Sequence, residues 1–341
     1  MNPQPDGAGP EDEIELKFAL GPEGVERLMG SAVLAALRLK GPRTRVLRSS
    51  YYDTPEGDLA RVRAALRVRS EDGRFEQTLK ALGGTGGHER IEVNTPVDGP
   101  APEPGLLPAE FGVEGWSELR ERMLAGALEP LFESRIGRTL WRVGAGEWVV
   151  ELALDRGLLR AGAGEEPIHE LELELERGEA HHLFELALRL LDEIPLRWLG
   201  PSKAERGARL AEGRDPQPRA WHPPRIEPDR PGGRHLRDLG FAALEHFLAN
   251  DHAFRRTGSP EALRGMRGAM RRLRALVGVS RAIDGVEAPV DPARLLGEYR
   301  WAIRELRGAR DVEALAAEVL DSRRLARLLL ETGWWLEGLG G

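Results

Sequence analysis

Residues 170–174 read Glu-Leu-Glu-Leu-Glu, a row of three carboxylates separated by two leucines. Side chains along a β-strand alternate between the two faces of a sheet, so the carboxylates point to one side and the leucines to the other. Like charges at this spacing repel one another unless cations lie beside them. The row therefore predicts a strand whose apolar face is buried and whose charged face meets cations from elsewhere in the chain.

Several other segments alternate charged and apolar residues with the same period of two. Residues 13–17 read Glu-Ile-Glu-Leu-Lys, and residues 66–69 read Leu-Arg-Val-Arg. Asp72-Gly73 is a strong hairpin signal between two such segments. Helical patterns at 22–39, 114–127 and 180–191 interrupt the series. The period predicts strands at 13–20, 64–70, 74–81, 90–97, 139–143, 147–155, 168–177 and near 195–198.

The acidic and basic rows lie on different strands, so folding has to bring them together. An open antiparallel sheet with one solvated face would leave the charges as ordinary surface, and that alternative stays open at this point. A closed barrel instead places carboxylates beside cations in one lumen. Carboxylates bind hard divalent cations, whereas Arg and Lys bind phosphate oxygens. The pattern therefore favours an antiparallel β-barrel that holds a complex of metal and polyphosphate.

Composition excludes several classes of protein. The 341 residues include no cysteine, so disulfides and thiolate chemistry are impossible, which suits a cytoplasmic location. No apolar run is long enough to span a membrane, and the net charge of −7 argues against a nucleic-acid binder. Only four of the 49 basic residues are lysines, namely Lys17, Lys40, Lys80 and Lys203. A lysine carries a compact point charge, which is how phosphate-binding lysines act, so these few are candidates for that purpose; chance is the alternative.

The chain divides at a proline-rich stretch. Residues 213–233 hold six prolines in a polar context, which predicts a stiff linker that limits how closely the two sides can cooperate. Before it we expect a disordered lead-in at 1–12 and a barrel domain at 13–212. After it the period becomes 3.6, and an all-α helical bundle is expected at 234–341. The predicted helices are 236–256, 260–279, 292–308 and 323–336, with a short one near 311–320.

The ordered motifs of residues 11–210 resemble the CYTH, or triphosphate tunnel metalloenzyme, superfamily. Residues 13–17 resemble its ExExK signature, 51–55 its YFDT segment and 66–69 its LRxR strand. Residues 78–80 resemble its TLK element, and 88–92 its R-x-E strand. Arg138 with Trp141, then Asp155, the 170–174 row and Ser202-Lys203 complete the series. The resemblance implies an α+β fold built on an eight-stranded antiparallel β-barrel, a tunnel with flanking helices.

The same resemblance implies a role for each charged residue. A divalent cation, Mg²⁺ or Mn²⁺, would accompany a linear triphosphate in the tunnel. Glu170, Glu172 and Lys80 are implied to be catalytic, and phosphoryl transfer indeed depends on positioning and charge neutralisation. The implied metal ligands are Glu13, Glu15, Asp155, Glu170 and Glu172, with Glu174 as a supporting carboxylate. The implied phosphate-binding residues are Lys17, Arg67, Arg69, Lys80, Arg90, Arg138 and Lys203, with Arg135 as the alternative to Arg138.

The helical region resembles CHAD domains, which accompany CYTH domains and bind polyphosphate. Residues 261–267 and 271–274 resemble their first signature, and 306–312 their second. Arg264 stands where that family usually has a histidine, and the sequence would cover only the first half of such a domain. The alternative is that the arginines merely solvate a helical bundle. The resemblance implies polyphosphate binding by Arg267, Arg271, Arg272, Arg274, Arg307 and Arg310.

The expected function is hydrolysis of inorganic tripolyphosphate to pyrophosphate and phosphate. Hydrolysis of thiamine or nucleoside triphosphates and cyclisation of ATP remain alternatives within the same fold. Nothing in the sequence reads a base or a thiazolium ring, which favours the inorganic substrate. A non-catalytic polyphosphate-binding module is the alternative from another class, but a pure polyanion binder gains nothing from its carboxylates. Residues 1–212 alone are expected to keep near full activity, with the helices affecting only long-chain binding.

Overall fold

The computed structural model describes residues 11–82, 89–126, 128–226, 229–280, 290–308 and 312–339. Three of the expected site residues fall outside this description: the side chains of Glu13 and Arg90, and the whole of Arg310. The backbone of Glu13 does lie in a strand, directly opposite that of Arg90.

The described residues of the first region form nine strands, and all their pairings are antiparallel. The hydrogen-bonded order is β5-β4-β3-β2-β6-β7-β8-β1, and β1 pairs with β5 as well, so eight strands close into a barrel. The ninth strand, β9, has only two residues and adds to β1. The strands are β1 Glu11–Ala19, β2 Arg38–Asp53, β3 Ala64–Glu71, β4 Arg74–Leu82, β5 Glu89–Val97, β6 Glu129–Ala145, β7 Trp148–Ala161, β8 Gly164–Arg177 and β9 Arg197–Trp198. The expected antiparallel barrel is therefore confirmed.

The strand β2 is the barrel element that the sequence pattern does not predict. Its residues 38–46 are all exposed, so no alternation of apolar and charged residues marks them. It nevertheless pairs with both β3 and β6 and so completes the barrel. The eight segments predicted from the period thus include the short β9 in place of β2. The prediction also places the start of β6 ten residues too late, since it begins at Glu129.

Short helices accompany the barrel. The single helix predicted at 22–39 is in fact two, because Ser31 starts a new helix by accepting a hydrogen bond from the amide of Leu34 (3.2 Å). The helix predicted at 180–191 is confirmed as α5. The helices of this region are α1 Pro22–Met29, α2 Ala32–Leu37, α3 Asp58–Arg61, α4 Trp116–Leu124, α5 His181–Glu193 and α6 Lys203–Ala211.

The two leucines of the 170–174 row pack beneath α5. Leu171 and Leu173 are fully buried in one cluster with Phe184 and Leu190 of that helix. Burying a side chain of this kind stabilises a fold by roughly 1.5–3 kcal/mol. Because the side-chain period of a strand is two, this burial turns the three carboxylates of the row towards the barrel interior.

The second region is helical throughout its described elements, as the sequence predicts. None of its helices, nor any other described helix, is long and apolar enough to cross a membrane. The elements are α7 Gly232–Thr257, α8 Pro260–Ser280, α9 Pro292–Gly308, α10 Val312–Leu315, a π-helical turn at Ala316–Leu320, and α11 Arg323–Glu337.

The helical region packs directly on the barrel region. Helix α11 lies so close to α5 that a Cβ atom at Gly333 would collide with the ring of Phe184. Residues of both regions share one hydrophobic core cluster. Residues 214–226 form neither helix nor strand, as expected of a linker, but Trp221 lies 4.3 Å below the guanidinium of Arg272 on α8. The two regions are therefore in direct contact, and the expected limit on their functional cooperation stays a prediction.

His252 of α7 should make the stability of this interface depend on pH. Burial, together with the positive charges of Arg209 and Arg206 of α6, lowers the pKa of His252 to about 4. The folded pKa is below the unfolded value of 6.5, so the unfolded state binds the proton more tightly and stability falls as the pH drops from about 6.5 towards 4. We expect H252Q to remove about 2–3 kcal/mol of this loss, as measured by urea unfolding at pH 7 and pH 4.5. Identical pH profiles for the variant and the wild type would contradict the expectation.

Candidate active site

A cavity of about 670 Å³ occupies the barrel, and charged side chains of both signs line it. The lining residues that the sequence predicts as site residues are Glu15, Lys17, Arg67, Arg69, Lys80, Arg138, Glu172, Glu174 and Lys203. These side chains are far apart in the sequence. Five strands (β1, β3, β4, β6 and β8) and the first residue of α6 bring them to one space. The alternative of a solvated outer face does not apply to them.

One part of the cavity wall is rich in carboxylates. Glu174 of β8 lies opposite Glu15 of β1 on one side and opposite Glu151 of β7 on the other. The pKa of Glu174 is raised to about 7, chiefly by burial; the Lys80 ammonium opposes the rise, and the carboxylates of Glu15 and Glu151 contribute to it. Glu15 lies 3.4 Å from Lys17 Nζ, whereas Glu174 forms no ion pair among the described residues. Glu174 is therefore a half-buried carboxylate that no described cation pairs with.

Glu172, two residues before Glu174 on the same face of β8, is surrounded by cations. Its Oε1 lies 2.7 Å from Lys203 Nζ and 3.3 Å from Lys17 Nζ, and its Oε2 accepts a hydrogen bond from Arg138 Nη2 (2.6 Å). Burial alone would raise the pKa of Glu172, but Lys203, Lys17 and Arg138 outweigh it and hold the pKa well below the usual range. Glu172 is therefore an ionised carboxylate at the centre of three cations.

Lys203 reaches this site because it is the first residue of α6. Ser202 accepts a hydrogen bond from the amide of Glu205 (3.1 Å), and the Glu205 carboxylate accepts one from the amide of Ser202 (2.7 Å). This capping box begins the helix at Lys203 and is visible in the sequence as Ser-x-x-Glu. The sequence analysis named Ser202-Lys203 as the last motif of the series but did not predict the helix that begins there.

Asp155 and Glu170, two of the expected metal ligands, are both engaged in ion pairs, and their role as ligands stays a prediction. Both are essentially inaccessible, with 0% and 1% of their surface exposed, and neither lines the cavity. Asp155 accepts two hydrogen bonds from Arg138 (2.7 and 2.6 Å) and lies 2.9 Å from Lys203 Nζ. Glu170 pairs with Lys203 (2.8 Å) and with Arg206. Their oxygens hold the cations in position behind the cavity wall.

The opposite wall is cationic. Lys80 of β4 pairs with Glu92 (2.8 Å), and Arg67 of β3 lies 3.9 Å from the same carboxylate. Arg69, two residues along β3, has no carboxylate partner among the described residues, and its buried Nε has no hydrogen-bond partner there either. Burial, together with the guanidinium groups of Arg67 and Arg138, lowers the pKa of Arg69 to about 10. Arg69 is thus a buried cation in need of an anion.

The structure also decides between the two arginines of β6 that the sequence leaves as alternatives. Arg138 has the same parity as the buried Ser134 and Ile136 and lines the cavity. Arg135 has the opposite parity and is exposed. Arg138 is therefore the cavity residue.

Two of the arginines predicted to bind polyphosphate in the helical region are engaged in packing. Arg267 donates from Nε to the carbonyl oxygen of Leu306 at the end of α9 (2.8 Å), and Arg272 covers Trp221. Arg271, Arg274 and Arg307 are exposed, and they are what remains of the predicted set within the described residues.

Several charged residues near the site escape the sequence prediction. Arg206 and Arg209 of α6 both pair with Glu166 at the start of β8, and Arg206 reaches Glu170 as well. Their spacing of three and six residues from Lys203 places them on one face of a helix, a signal that the capping box makes readable. Tyr51, on β2, also lines the cavity, and its pKa is lowered because Arg67, Arg69 and other cations outweigh the effect of burial.

The carboxylate-rich wall fits a divalent cation in its donor chemistry. Carboxylate oxygens are the ligands that Mg²⁺ and Mn²⁺ prefer, and Glu15, Glu151 and Glu174 are adjacent across three strands. Burial is the largest cause of the raised pKa of Glu174, and the neighbouring charges of Glu15 and Glu151 raise it as well. In the described part of the chain no three acidic or histidine side chains already surround a common point, so binding would require the carboxylates to turn towards the ion.

Comparison with known families agrees with the barrel and its charges. The CYTH domain model matches residues 11–208, more than half of the chain. The chain belongs to the CYTH family. CYTH triphosphate tunnel metalloenzymes use divalent metals. The CHAD domain model matches residues 240–334, which covers most of the helical region behind the CYTH barrel.

Individual relatives resemble the CYTH part. An inorganic triphosphatase of Haemophilus influenzae is 33% identical over 199 residues, which make up 57% of this chain and 54% of the relative. The chain thus spans about half the length of that relative. A solved structure from Hippeastrum, described as a candidate adenylyl cyclase that reveals a dominant triphosphatase activity, is 25% identical and covers 59% of this chain and 96% of its own, with a TM-score of 0.42. A Pyrococcus horikoshii protein is 21% identical over 59% of this chain and 99% of its own, with a TM-score of 0.37.

Proposed function

We propose that the barrel hydrolyses inorganic tripolyphosphate to pyrophosphate and phosphate with the help of Mg²⁺ or Mn²⁺. The observation that carries the proposal is that cations and carboxylates from distant strands line one cavity. Cations bind the phosphate oxygens, and carboxylates are of use only if a metal ion accompanies the phosphates. The related inorganic triphosphatase supports the same reading.

The phosphate chain would lie between the two walls. Arg69, Arg67 and Lys80 approach it from β3 and β4, and Lys17, Arg138 and Lys203 approach it from the other side, with Arg90 as a further expected contact. In the ligand-free protein the second group of cations is directed at Glu172. Phosphoryl transfer needs this kind of positioning and neutralisation rather than a covalent nucleophile.

The metal would be held by the carboxylates that reach the cavity. These are Glu15, Glu172 and Glu174, with Glu13 as an expected partner from the same strand as Glu15. When bound, the ion would neutralise phosphate charge and activate water. Asp155 and Glu170 would act on this site indirectly, because they fix Lys203 and Arg138.

The aromatic residues of the cavity favour an inorganic substrate over a nucleotide. Tyr51 stacks on Phe132 with ring centroids 4.2 Å apart, so each ring covers a face of the other. Tyr52 donates its hydroxyl to the carbonyl oxygen of Pro100 (2.9 Å). A base would need an open aromatic face or a specific set of hydrogen-bonding groups. Long-chain polyphosphate would be a second ligand of the protein, bound by the exposed arginines of the helical region.

Replacing Arg69 by Gln should affect binding and stability in different ways. Affinity for tripolyphosphate should fall by roughly 10- to 100-fold, because a hydrogen bond to a charged group contributes about 1.5–3 kcal/mol. The free energy of unfolding should stay constant or rise, because a buried cation without a carboxylate partner is removed. Calorimetric titration in EDTA and urea unfolding measure the two effects. The matched variant R138Q should instead lower stability, since it leaves Asp155 without its arginine; the same response from both variants would contradict this account.

A phosphate-release assay tests the proposal as a whole. The wild-type protein should release phosphate from tripolyphosphate with Mg²⁺ or Mn²⁺, and more slowly or not at all from pyrophosphate, ATP and thiamine triphosphate. Faster release from ATP or thiamine triphosphate would assign the barrel to an organic substrate. Tight binding of tripolyphosphate without release under any metal would identify a non-catalytic binding module.

A further inference from the structure

A second, much smaller cavity joins one end of the barrel cavity. It measures about 90 Å³ and shares four wall residues with the main cavity: Glu15, Lys17, Arg63 and Glu205. The rest of its wall includes Arg219 of the linker and Phe241, Leu244, Glu245 and Leu248 of α7. The helical region thus supplies one wall of a space that continues from the proposed triphosphate site.

Beside Glu15, Lys17 and Glu205, the wall of this small cavity carries two arginines that share one carboxylate. Glu245 Oε2 lies 3.7 Å from Arg63 Nη1 and 3.8 Å from Arg219 Nη1. Both distances exceed those of a hydrogen-bonded ion pair, and all three side chains are partly exposed, between 25% and 39%. Loose, partly exposed pairs of this kind contribute little to stability, so an incoming anion can displace the carboxylate.

The two arginines are nevertheless fixed in place by their backbones. The carbonyl of Arg219 accepts a hydrogen bond from Asn250 Nδ2 (3.1 Å) and contacts His246 Nε2 (3.0 Å), while its amide donates to Asn250 Oδ1 (3.2 Å). Arg63 adopts a φ of 55°, a left-handed conformation that an L-residue keeps only where its surroundings impose it.

The opposite side of the small cavity is also firmly packed. A Cβ atom at Gly200 would lie only 2.8 Å from Leu248 Cβ, so the chain after β9 rests directly against α7. The segment after β9 and the helix that carries Glu245 therefore pack directly against each other at this cavity.

From this geometry we infer that Arg63 and Arg219 form a distal phosphate subsite, which Glu245 fills when no substrate is bound. The inference rests on the proposed function and adds to it: the subsite takes the end phosphate of a linear polyphosphate one unit longer than the triphosphate held in the barrel. Two guanidinium groups converging on one carboxylate suit a terminal phosphate equally well. A volume of about 90 Å³ is room for on the order of three water molecules at roughly 30 Å³ each, so the space suits a single phosphate group.

The subsite predicts a sharp dependence on chain length. Tetrapolyphosphate should bind more tightly than tripolyphosphate, and chains longer than four units should gain nothing further from these two arginines. E245Q removes the competing anion, so it should raise the affinity for tetrapolyphosphate by roughly fivefold relative to that for tripolyphosphate. R219Q should lower the same ratio by about tenfold, which is the loss of one charge-assisted contact. Its backbone bonds to Asn250 do not involve the substituted side chain, so the linker keeps its position.

Calorimetric titration of the full-length protein in EDTA with tripoly- and tetrapolyphosphate measures these ratios without depending on turnover. R225Q, an exposed linker arginine outside both cavities, is the matched control and should leave the ratio unchanged. Equal ratios in wild type, E245Q and R219Q would overturn the subsite, and so would an absence of binding by both ligands. If the ratios shift as predicted but the wild-type protein releases no phosphate, the subsite stands and the proposed hydrolysis fails.

Discussion

Replacing Glu172 by Gln should lower the turnover of tripolyphosphate by about two to four orders of magnitude, or roughly 3–5 kcal/mol in the activation barrier. Glu172 is the carboxylate on which Lys17, Arg138 and Lys203 converge, and it belongs to the proposed metal-binding set. Gln keeps the size of the side chain but supplies no charge to the ion. The fold should survive, because Arg138 keeps Asp155 as a partner and Lys203 keeps Asp155 and a further buried carboxylate.

The measurement is the rate of phosphate release at saturating substrate and metal, together with a urea unfolding curve. The matched control is E165Q on the same strand, which removes only an exposed ion pair with Arg160 and should change neither quantity. The expected loss of rate is at least about a hundredfold, so a rate for E172Q within about threefold of the wild-type rate would refute the role of this carboxylate.

Replacing Glu170 by Gln should act mainly on stability, with a loss of about 3–5 kcal/mol in the free energy of unfolding. Glu170 is 1% exposed and pairs with Arg206 and Lys203. Without its charge, Arg206 keeps only the more distant Glu166 (3.4 Å) and becomes a poorly compensated buried cation. The sequence treats the carboxylates at 170 and 172 as equivalent, whereas their surroundings predict different defects.

Urea unfolding of E170Q and E172Q side by side separates the two roles. E170Q should unfold at a markedly lower urea concentration with an unchanged slope, which signals a stability change without a change in compactness. If E170Q is as stable as wild type but inactive, Glu170 acts at the reacting centre and the positioning role described above is wrong.

The parity of the charged rows is what the sequence could predict. An alternation of Glu and Leu at 170–174 fixes which side chains face the barrel, since the leucines have to be buried under α5. The same logic places Lys17, Arg67 and Arg69 correctly, and it fails for β2 because the exposed half of that strand has no apolar face to mark it.

The partners of each charge could not be predicted in the same way. Glu170, Glu172 and Glu174 belong to one alternating row in the sequence, yet one is enclosed by α6, one is surrounded by three cations and one faces other carboxylates. These differences come from elements distant in the sequence, chiefly Lys203 and Arg206 of a helix that the period-two pattern hides. The local sequence pattern determines the direction in which each side chain points, and tertiary packing determines the electrostatic role of that side chain.

In the helical region, too, the partners of the charged side chains depend on tertiary packing. The motif resemblance treats its arginines as one polyphosphate-binding set, but Arg267 caps the end of α9 and Arg272 holds the linker through Trp221. A guanidinium group can bind a carbonyl oxygen or an aromatic face as readily as a phosphate, and sequence spacing does not tell which.

The most direct test of the central claim is a phosphorus NMR time course of tripolyphosphate with the wild-type protein and Mg²⁺ or Mn²⁺. Samples are taken during the reaction, and EDTA is added to each before measurement so that the signals can be resolved. The account predicts that the tripolyphosphate signals disappear while pyrophosphate and orthophosphate appear in equal amounts, and that EDTA added at the start prevents the reaction. Tripolyphosphate that remains intact in the presence of metal, although the protein binds it, would contradict the claim that this tunnel is a hydrolase.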